Sequence, residues 1–362
     1  MYIRLFIHFM PNLPLSYIDK EEINSRISEL LNPYSESKTP FLFIIDFDKQ
    51  QPIVIPLSEV SKHNILFDFK GFTNCNYNDF KDYDKDFSFS KNPMSFREYK
   101  STFDMAQEHL KKGNSYLLNL TFPTPIETSL SLREIFHRSN APYKLLYRDK
   151  FVVFSPEPFI KITGDTISSF PMKGTINKNI AGAEEIIMNN EKEKAEHATI
   201  VDLIRNDLSM VASDVAVKRY RYISEVKTYN SELLQVSSEI TGKVRKELSS
   251  DLGTLLSLLL PAGSITGAPK RKTVEIIKEA EQYERGYFTG VFGYSDGENV
   301  ESAVMIRFIE NINGKLFFKS GGGITVYSDA ESEYKELIDK VYVPIIRNTA
   351  VEQPKVSKHI LS

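Results

Sequence analysis

Residues 191–208, EKEKAEHATIVDLIRNDL, combine a charged beginning with an apolar stripe and predict a long helix. Ile200 and Ile204 repeat at helical spacing and would bury one side of this helix. Glu193 and Glu196 are three residues apart, so a helix places both carboxylates on one face. An exposed, charged helix start gives the same pattern, and for a lone pair of glutamates it is the commoner explanation.

A second carboxylate pair lies near the end of the chain, in DAESEYKELIDKV, residues 329–341. Glu333, Glu336 and Lys340 fall at helical positions i, i+3 and i+7 and therefore share one face. Asp329 is placed to cap the start of this helix. Taken alone, the segment fits an exposed helix held by salt bridges equally well.

Two segments of small residues precede predicted helices. SGGGIT, residues 320–325, joins a predicted strand to the helix of residues 329–341, and we interpret it as a glycine turn. Such a turn exposes backbone N–H groups that can hold an anion, and a plain flexible turn is an equal alternative. PAGSITGAPK, residues 261–270, is a similar loop that opens a helix.

Two ionisable residues follow strands in SPEPFIKITGDTISSFPMKGT, residues 155–175. Glu157 lies between two prolines, in a rigid connection. Lys173 follows another strand and precedes Gly174. A surface lysine in a turn is the ordinary interpretation of Lys173, so neither residue indicates chemistry by itself.

The strands occur in groups and do not alternate regularly with helices, which favours an α+β class over a doubly wound α/β fold. Strands are predicted at 41–46, 52–57, 115–122, 143–149, 150–155, 159–163, 217–228, 232–242, 290–295, 300–309 and 315–320. Helices are predicted between Ser95 and Gly113, at 184–212, 251–260 and 270–283, and from Ala330 onward. We divide the chain into a strand-rich N-terminal portion (1–94) packed on the same fold, a main catalytic domain (95–350) and a C-terminal tail (351–362).

The composition is that of an ordinary globular protein, with 41% hydrophobic and 26% charged residues and a net charge of −3 that gives no nucleic-acid signal. The single cysteine, Cys75, lies in a polar, loop-like stretch without an evident partner and fits a reducing compartment. The apolar start, MYIRLFIHFMPNLPL, lacks a cleavage site and is interpreted as a first strand. No stretch approaches the length of a transmembrane helix, so we expect a cytoplasmic protein.

Together these segments resemble the chorismate-utilising enzyme family. The matching runs are PMKGT, EHATIVDLIRNDL, PAGSITGAPK, GVFGY, MIRF and GGGITVYSDAESEYKE, and the likeness extends from Ser95 to Ile346. The resemblance implies an α+β fold with a large two-layer core of antiparallel sheets, flanked by helices, and an active site between the layers.

The resemblance also implies a Mg²⁺ cofactor and chorismate as substrate. Glu196 and Glu336 match direct ligands of the metal, while Glu193 and Glu333 match residues that act through water. Two direct carboxylate ligands suit Mg²⁺, because this ion fills the rest of its coordination shell with waters and substrate oxygens. The residues that match contacts to substrate carboxylates and hydroxyls are Arg307, Lys340, Thr266, Thr175 and the backbone amides of Gly322, Gly323 and Ile324.

The type of reaction depends on a few positions. Lys173 in PMKGT matches the aminodeoxychorismate synthases of the family, whereas other members carry alanine there. The match implies that the Lys173 amine adds to ring C2 of the substrate while the C4 hydroxyl leaves. Glu157 matches the general acid that protonates this hydroxyl. Leu117 stands where water-adding members have a base lysine, which argues against hydrolysis at C2. Gln235 stands at the position where many amine-adding members have a histidine.

The proposed nucleophile must be a neutral amine. From an ordinary pKa of about 10.4, the pKa of Lys173 would have to fall to about 7–8, through desolvation and cationic neighbours. Glu157 must conversely stay protonated, which an apolar or anionic environment would achieve.

No glutaminase signature is found in the sequence, so the resemblance implies that ammonia comes from a separate glutamine amidotransferase subunit. Two alternatives stay open: an anthranilate synthase component I and a non-catalytic chorismate-binding subunit. Lys173 argues against the first, and the presence of Glu157, Lys173, Glu196 and Glu336 together argues against the second.

Overall fold

The computed structural model describes residues 25–77, 86–227 and 232–345; the predicted first strand and the C-terminal tail lie outside them. The helices are α1 (Ser25–Glu36), α2 (Phe96–Lys111), α3 (Leu132–Arg138), α4 (Ala183–Asn189), α5 (Glu191–Val211), α6 (Leu252–Leu259), α7 (Gly263–Thr266), α8 (Lys270–Ala280) and α9 (Ala330–Asp339), with 3₁₀ turns at Val60–His63 and Lys246–Leu248. In this part of the chain no helix combines the length and apolarity needed to cross a membrane.

The strands of the described ranges are β1 (Phe41–Ile45), β2 (Ile53–Pro56), β3 (Ile65–Phe69), β4 (Phe72–Thr73), β5 (Phe89–Lys91), β6 (Leu117–Thr128), β7 (Tyr143–Tyr147), β8 (Phe151–Ser155), β9 (Pro158–Thr163), β10 (Thr166–Ser169), β11 (Met172–Asn177), β12 (Ala212–Lys227), β13 (Glu232–Val244), β14 (Gly267–Ala268), β15 (Val291–Ser295), β16 (Val300–Val304), β17 (Phe308–Ile312) and β18 (Lys315–Ile324).

These strands form two nine-stranded sheets in which the described pairs are antiparallel. Sheet 1 has the order β11-β13-β10-β9-β16-β15-β1-β2, and β12 also pairs with β13. Sheet 2 has the order β14-β6-β18-β17-β8-β7-β3-β4, and β5 also pairs with β6. The α+β class with two antiparallel sheets flanked by helices, predicted from the sequence, is confirmed.

Strand β1, FLFII, shows how the layers are held together. All five of its side chains are buried. Successive side chains of a strand point to opposite faces, so Phe41, Phe43 and Ile45 pack in one cluster with α1, α5 and α6. Leu42 and Ile44 pack in another, with apolar side chains of sheet 2. Burying an aliphatic or Phe side chain stabilises the fold by about 1.5–3 kcal/mol, which explains the unbroken apolar run.

The segment before β1 contains a helix that the sequence analysis did not predict. Ile27 and Leu31 of α1 are buried in the core and Tyr34 packs against it, but Pro33 lies inside the helix, so the helical pattern is weak. The helix is fixed by packing on α6, where Asn32 Nδ2 donates to Asp251 Oδ1 at 2.6 Å. Strands β1 and β2 then extend sheet 1, whereas β3 and β4 extend sheet 2.

Two predicted elements are divided in the structure. The helix expected at 184–212 is interrupted at Asn190, whose side chain caps α5 by accepting from the N–H of Glu193. The strand expected at 300–309 is two strands, β16 in sheet 1 and β17 in sheet 2. The chain passes between the sheets at residues 305–307, where Arg307 adopts a left-handed φ of 53°.

The surroundings of Cys75 differ from the sequence interpretation. The thiol is buried, and its Sγ lies 3.6 Å from Nδ1 of His137. The nearby Lys144 is buried as well and donates to the carbonyls of Phe136 and Ser139 at the end of α3. These contacts tie the segment around Cys75 to the outer side of sheet 2, where it contributes to packing.

Candidate active site

One large cavity, with a volume of about 830 Å³, brings together most of the residues that the sequence singled out. Its walls include parts of β11 and β13 from sheet 1, β6 and β18 from sheet 2, and the helices α5 and α9. The predicted residues that line it are Glu157, Lys173, Thr175, Glu193, Glu196, Arg307, Gly322, Gly323, Glu333, Glu336 and Lys340. Residues as far apart in the chain as Glu157 and Lys340 thus meet at one site, and only the packing of the two sheets brings them there.

Lys173 is held by a carboxylate of the neighbouring helix. Its Nζ donates to Oε2 of Glu196 at 2.8 Å, and both side chains are largely buried. Burial by itself lowers the pKa of Lys173, but Glu196, together with Glu193 and Glu336, outweighs burial and raises it. The direction is opposite to the one expected for a nucleophilic amine, because the neighbours are anionic.

Helix α5 presents Glu193 and Glu196 from its first turns. The cap at Asn190 begins the helix at Glu191, so the two carboxylates follow one turn apart. Farther along, α5 buries an apolar side in the core, which fixes how the helix faces the cavity; its residues there are Ile200, Val201, Ile204, Leu208 and Val211.

Helix α9 supplies the second carboxylate pair. Asp329 caps it as predicted, by accepting from the N–H of Ser332. Glu333 is buried and accepts from Ser328 Oγ at 2.8 Å. The side chain of Glu336 is 56% exposed and lines the cavity, and Lys340 Nζ lies 2.6 Å from its Oε1. Burial lowers the pKa of Lys340, although Glu336 opposes this.

The three glycines do not form the predicted turn; Gly321, Gly322 and Gly323 are residues of β18. They pair with β6, and a Cβ at Gly321 would lie 2.5 Å from the carbonyl oxygen of Leu120, so the strands approach too closely for a side chain. At Gly323 a Cβ would point to within 3.8 Å of Lys173 Nζ. The absence of side chains therefore opens the cavity between β18 and Lys173.

The edge of β18 also decides which backbone groups face the site. β17 pairs with β18 only as far as Lys319, so residues 321–324 have β6 on one side alone. On the other side, Lys340 Nζ donates to the carbonyl of Gly321 at 2.9 Å. Backbone groups alternate between the edges of a strand, so the N–H of Gly323 shares this edge, whereas those of Gly322 and Ile324 turn toward β6.

Two predicted contact residues do not line the cavity. Thr266 is fully buried, and its hydroxyl donates to the carbonyl of Ala262 within the same short segment. Ile324 is buried in an apolar cluster with Leu118 and Leu120. Their side chains serve the packing of the loop and of sheet 2.

Glu157 faces the cavity from the connection between β8 and β9. Its backbone carbonyl accepts from the N–H of Val304, which fixes the connection to sheet 1. Burial raises the pKa of the Glu157 carboxyl, against the lowering effect of Ser264, Lys173, Arg307 and Lys340. Burial, and not an anionic neighbour, therefore keeps this carboxyl group protonated to a higher pH than usual.

Sequence reasoning overlooked Ser264 at this site. Its Oγ donates to Glu157 Oε1 at 2.6 Å, and both residues line the cavity. The run PAGSITGAPK contains both hydroxyl residues, and the family resemblance points to Thr266 and not to Ser264. Which hydroxyl of a short helix faces a cavity depends on how the helix is docked, and the local sequence does not show this.

Arg307 and Thr175 complete the polar walls. The guanidinium of Arg307 lies over the ring of Tyr342, with 5.6 Å between its Cζ and the ring centroid. Thr175 is exposed toward the cavity and lies opposite Gln235 in the register of β11 and β13. In the site as a whole carboxylates alternate with cationic groups, as in the pairs Lys173–Glu196 and Lys340–Glu336, an arrangement suited to a small anionic substrate together with a cation.

A polar cavity of this kind, enclosed between two large antiparallel sheets, has the size and charge to hold a small carboxylated molecule. The sequence profile of the family described as chorismate binding enzyme matches residues 67–345. The chain belongs to this family of chorismate-binding enzymes.

Relatives within the family carry different names. A protein of Haemophilus influenzae, named an uncharacterized PabA-like protein, is 51% identical over 317 residues, which cover 88% of this chain and 96% of the relative. Aminodeoxychorismate synthase component 1 of Escherichia coli is 33% identical over 261 residues, which cover 68% of this chain and 57% of the relative.

A solved structure shows the same fold. Anthranilate synthase component I from Streptococcus pneumoniae TIGR4 superposes with a TM-score of 0.61 at 25% sequence identity. The match covers 73% of this chain and 60% of that structure.

Proposed function

We propose that this protein converts chorismate and ammonia into 4-amino-4-deoxychorismate, as an aminodeoxychorismate synthase component I does. The observation that carries the proposal is the position of Lys173: its amine lies in the wall of the cavity, beside the side-chain-free edge of β18. A buried amine next to the space for a ring is the arrangement that a covalent mechanism needs.

The proposed reaction has two displacements whose atoms and charges balance. The neutral Lys173 amine adds to ring C2, the ring double bonds shift, and the C4 hydroxyl leaves as water with the proton of Glu157. Ammonia then adds at C4, the double bonds shift back, and the C2–N bond breaks to release the Lys173 amine. The Glu157 carboxylate takes a proton from the new ammonium group and is ready for the next cycle.

The four glutamates fit a Mg²⁺ ion in their chemistry. Carboxylate oxygens are the donors that Mg²⁺ prefers, and α5 and α9 direct two each toward one cavity. Within the described ranges no cluster of three or more Asp, Glu, His or Cys side chains is close enough to hold a metal by itself. We assign Glu196 and Glu336 as direct ligands, with Glu193 and Glu333 acting through water. When bound, Mg²⁺ would orient and neutralise the ring carboxylate of the substrate.

Lys173 and the metal would then compete for the carboxylate of Glu196. Glu196 accepts the hydrogen bond of Lys173, and if Glu196 held the metal, the Lys173 amine would lose this acceptor and be free to face the substrate. Lys340 and Glu336 form a second pair of the same kind. The substrate carboxylates can in turn bind Lys340, Arg307 and the N–H of Gly323.

The presence of Gln235 in the cavity supports the proposal that the product keeps its enolpyruvyl group. The side chain lines the cavity next to Thr175, where it can hydrogen-bond but cannot exchange a proton at neutral pH. An anthranilate synthase must also eliminate pyruvate, which needs a further acid–base group.

We propose that ammonia is supplied by a glutamine amidotransferase subunit.

The identity of the product tests the proposal. The purified protein is incubated with chorismate, an ammonium salt and Mg²⁺, and the mixture is analysed by mass spectrometry and fluorescence. We expect the mass of 4-amino-4-deoxychorismate without the fluorescence of anthranilate. Anthranilate as the main product would assign the other reaction, and binding of chorismate without turnover would assign a non-catalytic role.

Removal of a proposed ligand should weaken metal binding. In Glu336→Ala we expect Mg²⁺ affinity, measured by calorimetry, to fall by at least about 100-fold. Loss of a residue that only supports a ligand lowers metal affinity by about 10- to 100-fold, and loss of a direct ligand should cost more. Glu331→Ala, an exposed glutamate in the first turn of the same helix, is the matched control and should bind as the unchanged protein does. Equal affinity in both variants would remove Glu336 from the ligand set.

A further inference from the structure

We propose that Ser264 is a positioning residue for Glu157: its hydroxyl holds one oxygen of the carboxyl group and leaves the other for proton transfer to the substrate. The contact is short, 2.6 Å between Ser264 Oγ and Glu157 Oε1, and both residues lie in the cavity wall. This inference rests on the proposed role of Glu157 as general acid.

Ser264 is held in place by residues that have no role in the proposed reaction: Asp207 of the run EHATIVDLIRNDL and Lys270 of PAGSITGAPK. Asp207, near the end of α5, accepts from the backbone N–H of Gly263 and forms an ion pair of 2.9 Å with Lys270. Lys270 Nζ also donates to the carbonyl of Leu259. The loop that carries Ser264 is therefore fastened on both sides to one buried carboxylate.

Gly263 shows how closely the loop is fitted to α5. A Cβ at this position would lie 2.7 Å from Oδ2 of Asp207, so no side chain fits between the loop and the helix. The loop cannot shift without breaking the contacts of Asp207, and the direction of the Ser264 hydroxyl is set by the docking of α7.

The hydrogen bond also acts on the charge of Glu157. Burial favours the protonated carboxyl, while Ser264 and three cations favour the carboxylate. The cations are Lys173 on β11, Arg307 in the connection from β16 to β17, and Lys340 after α9. Because Ser264 stabilises the carboxylate, removing its hydroxyl raises the pKa of Glu157 further. A general acid works while protonated, so the loss of activity at high pH should move to higher pH.

Kinetics of Ser264→Ala test the inference. We expect kcat to fall about 10- to 100-fold, because a misdirected acid loses its alignment with the leaving group, while KM changes little. The high-pH limb of the kcat profile should move upward. Ser264→Thr, which keeps the hydroxyl, should restore most of the activity, and Ser249→Ala, at an exposed serine outside the site, should leave activity unchanged.

A second measurement does not depend on the reaction. The carboxyl band of Glu157 is assigned in infrared spectra by its loss in Glu157→Gln, and its pH midpoint is compared between the unchanged protein and Ser264→Ala. We expect a higher midpoint in the variant. An equal midpoint, or a drop in kcat without movement of the pH limb, would overturn the inference. If the unchanged protein forms no 4-amino-4-deoxychorismate, the proposed function fails, and the infrared midpoint still decides whether Ser264 acts on Glu157.

Discussion

Lys173→Ala is expected to lose at least about 100-fold of the rate of 4-amino-4-deoxychorismate formation, because the variant lacks the amine that opens the covalent route. Any remaining product would come from slow direct attack of ammonia on the ring. The measurement is the initial rate with saturating chorismate and ammonium, followed by mass spectrometry. In the unchanged protein, an adduct at Lys173 should be trapped and located by peptide mapping.

Two controls separate the chemistry of Lys173 from its effect on folding. Lys161→Ala, at an exposed lysine of β9, should keep the full rate. Lys173→Ala should bind Mg²⁺ at least as tightly as the unchanged protein, because the cation that occupies Glu196 is gone. A variant that binds Mg²⁺ normally and turns over at the full rate would exclude the covalent mechanism.

Arg285→Met is expected to reduce the free energy of unfolding by about 3–5 kcal/mol, because it leaves a buried carboxylate without its charge partner. The side chains of Arg285 and Glu281 are at most 2% exposed and form two hydrogen bonds, of 2.6 and 2.8 Å. The guanidinium also donates to the carbonyls of Asn119 and Ile265, so it links β6 to the loop of Ser264. The effect is measured from urea unfolding followed by circular dichroism, since the chain has no tryptophan.

The double variant Glu281→Leu/Arg285→Met is the informative control. Replacing both charges with apolar side chains removes the uncompensated carboxylate, so the double variant should be more stable than Arg285→Met alone. A double variant as unstable as the single one would show that the loss comes from contacts other than the ion pair, namely those of Arg285 with β6 and the loop and those of Glu281 with Thr121.

The sequence patterns predicted local features with considerable success. Helix α2 begins at the predicted cap Ser95, whose side chain and that of Glu98 form a capping box. The cap at Asp329 is confirmed as well. Such signals are local, because the groups that satisfy a helix end lie within the same turn. The grouping of strands was enough to identify the α+β class.

The glycine segment shows where local reasoning stopped. Three consecutive glycines favour a turn when the sequence is considered alone. In the structure they extend β18, because the close approach of Leu120 and the open space beside Lys173 require residues without side chains. Likewise, the sequence of residues 300–309 predicts one continuous strand. In the structure the strand ends before Arg307, because its two halves belong to different sheets.

Local residue patterns were enough to predict the class of fold and the helix faces with paired glutamates, and the family resemblance singled out Glu157 and Lys173. Three features depend on how the whole chain folds: Lys173 meets Glu196, Ser264 and not Thr266 faces the cavity, and burial raises the pKa of Glu157. The physical reason is that periodicity and capping are properties of neighbouring residues, whereas burial and charge at a site are set by segments that meet only when the two sheets pack.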